Sequence, residues 1–326
     1  MSAGARSTTG RPPGRPAVGY VLVLSAAALF IVNAGVSRAT IRAGVDPQTL
    51  TTIRATGSVP IFALWALLWD RSALHPPRGR MIGWLVVMGV VGVALLQWTY
   101  FVAIDRLPIG IALLLEYTAP VLVALWARFV SREPVSARLW PALGLSLVGL
   151  AVVARVWSGL AFDGLGVVAG FGAATCFAVY YLVGDHGISD RDPLHVILWA
   201  FLVAAVFLNV VWPVTRLDAD VATEAASLGG SLEGVSVPGW TLLLWVVVLG
   251  SVAPFALTLF AMRHLPPTVV VVVSMVEPVG VTALGWAWFD ETLGLVQLAG
   301  GAAVVAGIVL AQSARRARAT DPVPVT

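Results

Sequence analysis

LPIGIALLLEYTAPVLVALWARFVSREP, residues 107–134, returns as LPPTVVVVVSMVEPVGVTALGWAWFDET at residues 265–292. At the constant offset of 158, Leu107/Leu265, Pro108/Pro266, Pro120/Pro278, Val121/Val279, Val123/Val281, Glu133/Glu291 and, farther on, Gly149/Gly307 are identical pairs. The chain is an internal duplication. Upstream, Asp46-Pro47 matches Asp192-Pro193 at an offset of 146, and the 12-residue difference falls in the longer second-copy loop around 227–234.

Composition says what medium the copies sit in. With 59% hydrophobic and 11% charged residues and a mean hydropathy of +0.90, the chain is a polytopic membrane protein. Ten apolar runs approach the length of about 20 residues that a helix needs to cross a bilayer. They cover 18–37, 50–69, 81–103, 109–130, 139–156, 165–183, 196–214, 240–262, 268–289 and 293–312. The predicted fold is therefore all-α, ten transmembrane helices in two five-helix repeats. Five is odd, so the second repeat enters the membrane upside down, as in transporters that build two gates around one site. The organisation reads as a tail at 1–17, repeats at 18–158 and 162–313, and a second tail at 314–326, both tails short and disordered.

All 20 basic residues are Arg. The absence of Lys excludes Schiff-base chemistry and Lys-dependent phosphate loops, and no cofactor is expected. A cytoplasmic N-terminus places fourteen Arg inside and five outside, with Arg54 left within a span. The positive-inside rule then puts both termini in the cytoplasm and the acidic loop 215–239 outside. A net charge of only +3 argues against a nucleic-acid partner. The first run resembles a secretory signal, but its match to the sixth run makes it a span. Cys176 is expected to pack, and the Trp residues near span ends to form an interfacial belt. Small residues in spans five and ten (Gly144, Ser146, Gly149; Gly300, Gly301, Ala302, Gly307) offer helix-packing or homodimer faces.

The two proline-bearing spans, each ending in a Glu-containing turn, resemble the EamA domain of the drug/metabolite transporter superfamily. The residues concerned are Leu107-Pro108, Pro120 and Glu133, then Leu265-Pro266, Glu277-Pro278 and Glu291. The run 107–120 with SMVEP at 274–278 is most similar to threonine/homoserine exporters. The resemblance implies a plasma-membrane carrier, often an exporter of amino acids or other small metabolites, with a cavity between the repeats.

Candidate site residues follow from the cost of polar groups in hydrocarbon. Glu116 lies about 10 Å into span four, and Glu277 about 14 Å into span nine. Pro120 has no N–H for the Glu116 carbonyl, so the span opens there, which a bilayer tolerates only where the backbone faces protein or a polar cavity. Pro120 and Pro278 are the candidate hinges, facing each other across the pseudo-twofold axis. Carboxylates held close together cannot both ionise cheaply, so the pair is a candidate proton carrier. Helix-to-helix hydrogen bonding is the structural alternative. The two are not repeat equivalents: Glu116 aligns with Ser274, which joins the candidates, and Glu277 with Ala119. Arg54 is either a clamp for a substrate carboxylate or a side chain snorkelling to the outer interface about 6 Å away. Tyr100, Tyr117 and Tyr180 are the candidate cavity liners, while several of the intramembrane polar groups, which also include Asn33, Gln97, Thr118, Tyr181, Asn209 and Thr258, are expected to bond helix to helix.

Glu133 and Glu291 are expected to start the following helices. In 184–193, Asp192 with Pro193 reads as a helix cap rather than part of a metal site with Asp185, His186 and Asp190, since Asp46-Pro47 repeats it without His. The competing function is an intramembrane enzyme acting on a lipid or isoprenoid. Against it, the spans hold no Asp-rich cluster, HExxH or GxSxG, so no metal and no catalytic residue is assigned. The expected partners are a small-molecule substrate and the lipid bilayer.

Overall fold

The computed structural model describes residues 15–107, 109–132, 135–153, 157, 163–190, 192–289 and 294–319. Glu133 and Glu291, with Pro108, lie outside them, as do the side chains of Asp185, His186 and Asp190. Among the described residues, eight helices are long and apolar enough to cross a membrane, from Pro16–Arg42 to Pro267–Phe289, and two shorter apolar helices cover Leu139–Val153 and Leu295–Ala311. The chain is a multi-pass membrane protein.

Helix α1 is Pro16–Arg42 and α2 is Pro47–Trp69. Next come α3 (Arg80–Val87), a π-helical segment Met88–Leu95, and α4 (Leu96–Arg106). Helices α5 (Ile109–Glu116) and α6 (Ala119–Phe129) form one interrupted span, followed by α7 (Leu139–Val153). The second copy repeats this order. It has α8 (Gly164–Asp190), α9 (Pro193–Val211), a surface helix α10 (Ala219–Thr223), α11 (Gly239–Val247), a second π segment Val248–Val252, and α12 (Ala253–Ala261). It closes with α13 (Pro267–Ser274), α14 (Val276–Phe289) and α15 (Leu295–Ala319).

The helix starts follow local chemistry. Asp46 accepts from the N–H groups of Gln48 and Thr49, and Asp192 from that of Leu194, each with Pro at the first helical position, so both caps form as expected. Asp163 caps α8 by accepting from the Gly166 N–H at 2.8 Å. That bond, aided by Arg106, holds its carboxyl below the usual carboxylate range. Its stabilisation is present above the unfolded carboxylate pKa and is lost as pH falls through the lower folded one.

Repeat-equivalent helices pack on each other in opposite directions. In α7 and α15, Gly149 meets Gly300 and Val304, while Ser146 and Ala142 meet Gly307. Residue numbers rise along one helix as they fall along the other. The same holds for α2 and α9, where Thr56 accepts from Asn209 and Phe62 stacks edge-on with Phe201. In the interrupted spans α5 packs with α14 and α6 with α13. The remaining contacts swap between copies: α1 lies along α11 and α12, and α8 along α3 and α4.

Two features differ from the all-α expectation and its tails. Residues Ala225–Ser227 pair antiparallel with Ser236–Pro238, a two-stranded hairpin in the long loop. Its turn uses Gly229 and Gly230 at positive φ, a conformation that glycine adopts without strain. Second, α15 continues through Ala319, since ARRARA is a run of strong helix formers, so the tail at 314–326 is helical in its described part. The small residues of α7 and α15 form a packing face, as expected, and close an intrachain interface in which backbones approach as they do at small-residue contacts in lipid. Gly144 alone of that α7 set faces open space.

Candidate functional site

Both proline-bearing spans break at equivalent positions. Helix α5 ends at Glu116 and α6 starts at Ala119; α13 ends at Ser274 and α14 starts at Val276. Pro120 and Pro278 lie four residues after Glu116 and Ser274, where each removes the N–H that those carbonyls need. The gap is closed locally by tighter bonds, Thr118 N–H to Leu115 O at 3.1 Å and Met275 N–H to Val272 O at 3.2 Å. Hydroxyls help: Thr118 Oγ1 donates to Leu115 O, and Ser274 Oγ to Val270 O.

The broken ends bring the carboxylates together. Tyr117 Oη donates to Glu277 Oε2 at 2.7 Å, joining the first copy's break to the start of α14. Glu116 lies within the field of Glu277, and both charges reach Tyr100 on α4 and Tyr117. Glu116, Glu277 and Tyr100 are half-buried and Tyr117 is buried.

Arg54 supplies the positive charge. It is 7% exposed, so it does not snorkel. Nε donates to Ser251 Oγ and Nη2 to the carbonyl of Gly250, both at 2.8 Å. Ser251 in turn donates to Val246 O, a bond across five residues that the π segment makes available. Tyr100 and Glu277 both lie in the field of the guanidinium. What decides its direction is a partner in the other copy, which the rise along α2 could not show.

Tyr181, next to the expected Tyr180, completes the cluster. Its hydroxyl shares a 3.2 Å hydrogen bond with Ser274, and its ring packs on Phe177, which meets Tyr117 edge-on. Tyr180 is turned away, packing on Phe255 with its hydroxyl 3.4 Å from that residue's carbonyl. Thus Arg54, Tyr100, Glu116, Tyr117, Ser274 and Glu277 lie around the two breaks; Tyr181 had been read only as one of the intramembrane polar groups, and Gly250, Ser251 and Phe177 were not singled out. The match of Gly92 to Gly250 at the repeat offset was the available signal for the π segments. Among the described residues no group of three or more His, Cys, Asp and Glu is placed to hold a metal.

The chemistry on offer is one fixed cation, two neighbouring carboxyl groups and several hydroxyls at mid-span. Such a set can hold both ends of a zwitterion, or carry a proton between two openings of the protein.

Each candidate hinge carries an expected result. Pro120→Ala or Pro278→Ala restores the missing N–H, so the span should straighten and the inward/outward balance shift. Accessibility of single cysteines from either face measures this; an unchanged pattern in a stable variant would count against the hinge.

The model of the EamA-like transporter family matches residues 17–155 and again 164–312. Threonine/homoserine exporter RhtA of Escherichia coli (strain K12) is 27% identical over 215 residues, 65% of either chain. RhtA of Salmonella typhimurium (strain LT2) is 26% identical over the same length, so the chain spans about 65% of the length of these exporters. The uncharacterized transporter YwfM of Bacillus subtilis (strain 168) is 23% identical over 306 residues, 92% of this chain and 96% of its own. A solved crystal structure shares the fold with a TM-score of 0.70 at 18% identity, covering 92% of this chain and 98% of that one.

Proposed function

The chain belongs to the EamA-like transporter family, and from that premise we propose that it is a secondary transporter exporting small metabolites such as amino acids. The observation that carries this reading is the meeting of Glu116, Glu277 and Arg54 where two duplicated spans break. Arg54 holds the solute's carboxylate, and the carboxyl pair takes its amine or a proton. Loading and release of that proton couple transport to the proton gradient. The relatives named as threonine/homoserine exporters support the substrate class.

The architecture in this reading is ten spans in two inverted repeats, residues 18–158 and 162–313, with alternating access through either end. Antiparallel packing of α2 on α9 and of α7 on α15 supports the inversion. Pro120 and Pro278 act as its gates, and Tyr100, Tyr117 and Ser274 line the path. The protein resides in the plasma membrane with both termini cytoplasmic.

Two experiments test this. Purified protein in liposomes, challenged with amino acids, their analogues and cationic drugs, should move at least one solute chemically unchanged. A solute converted rather than moved would favour the intramembrane enzyme. Reporter fusions test the topology: a periplasm-active reporter working at Thr326, or a cytoplasmic one fluorescing at Gly230, would overturn it.

A further inference from the structure

Two amide side chains near the Arg54 cluster have buried polar atoms with no protein partner among the described residues. Asn33 on α1 is 5% exposed, and its Oδ1 has no hydrogen-bond donor among the described residues. Gln97 on α4 is 7% exposed, and neither its Oε1 nor its Nε2 has a partner there. Several of the intramembrane polar groups were expected to tie helices together, as Asn209 does, but these three amide atoms do not.

Their positions relate them to Arg54. The Asn33 amide rests against Gly250, so close that a Cβ there would overlap it. Gly250 is the residue whose carbonyl accepts from Arg54. Gln97 sits one turn before Tyr100 on the same face of α4, and Tyr100 lies in the field of that guanidinium. The α1 amide thus touches the residue that accepts from Arg54, and the α4 amide lies one turn from Tyr100. The repeat equivalent of Gln97 is Phe255, which packs on Phe30, Tyr180 and Phe201. An aromatic ring fills this place in the second copy, so packing alone does not call for an amide.

Leaving amide groups unpaired in a span is costlier than placing Leu or Met there. Such groups in a folded protein call for an occupant that pairs with them. An amide offers both a donor and an acceptor and no charge. The group it fits is an uncharged polar one, a hydroxyl or a carboxamide.

We infer that Asn33 and Gln97 are specificity-determining residues that take the uncharged polar part of the transported solute, while Arg54 and the carboxyl groups take its charged ends. The inference rests on the transport reading above. It selects solutes bearing a hydroxyl or amide over aliphatic isosteres, because the isostere leaves the protein's amides unpaired when it fills the site.

The test uses the full chain in proteoliposomes loaded with threonine or valine, near-isosteres that exchange a hydroxyl for a methyl. Wild type should export threonine about tenfold faster than valine or better, a modest share of the discrimination that hydrogen-bonding sites reach. Asn33→Leu and Gln97→Met should each reduce that ratio severalfold, chiefly by sparing valine. A ratio unchanged in both variants overturns the inference. Melting of the purified variants supplies a second measurement. A midpoint kept or raised agrees with amides that have no protein partner, whereas a midpoint lowered by both substitutions shows that they tie helices together and overturns it. Wild-type vesicles that move no solute of any kind would sink the transport reading instead, and the melting result would still judge the amides.

Discussion

Proteoliposomes carrying Glu116→Gln should export solute about 5- to 150-fold more slowly than wild type under a proton gradient, the span of a typical coupling free energy of about 1–3 kcal/mol. Glutamine keeps the shape and hydrogen-bonding capacity of Glu116 but has no proton to exchange. The rate of the variant should therefore be flat with external pH where that of wild type is not. Glu277→Gln is the companion variant. It keeps an acceptor for the Tyr117 hydroxyl, so the 2.7 Å contact between the copies survives while the second carboxyl group is lost. Identical rates and pH profiles for wild type and Glu116→Gln would remove Glu116 from the mechanism. They would leave Glu277 and Arg54 as the charged groups of the site.

The second large effect is structural. In α7, Gly149→Leu should cost about 1–3 kcal/mol or more, because the new Cβ would sit 2.6 Å from the carbonyl of Gly300 and 2.8 Å from the backbone nitrogen of Val304. Neither helix can retreat without giving up the rest of the α7–α15 contact. Gly144→Leu on the same helix is the control, since nothing lies within 4 Å of its Cβ. Thermal unfolding in detergent should show the Gly149 variant melting several degrees lower and the Gly144 variant unchanged. Equal midpoints would mean that the close approach contributes little to stability.

Much of this architecture was readable before any coordinates. Proline at matching places in two apolar runs implied two opened spans, because a missing N–H acts locally whatever surrounds it. Asp-Pro pairs implied caps for the same reason. What escaped were properties set by the partner copy. Depth along α2 said nothing about which way Arg54 points; its acceptors, Ser251 and Gly250, lie almost 200 residues away in sequence. The π segments left no mark in the apolar periodicity, since an added residue in a wholly apolar run changes no pattern. The hairpin was missed because its strands, Ala-Ala-Ser and Ser-Val-Pro, are too short to show alternation.

That hairpin makes the duplicated halves unequal. Ser231 donates to the carbonyls of Ala287 and Trp288, and Arg38 and Arg42 at the end of α1 lie over the ring of Phe289 at the end of α14. Gly230 presses so closely on Trp288 that no side chain fits between them. Together these contacts buckle α1 to α14 at one end of the molecule. The first copy contributes only a short 3-10 turn, Arg71–Leu74, at the matching connection. In the alternating-access reading proposed above, a gate that parts α1 from α14 must first undo this fastening. On that reading, two like halves have diverged into a stiffer door and a looser one, and the difference in stiffness biases which of them stands open at rest.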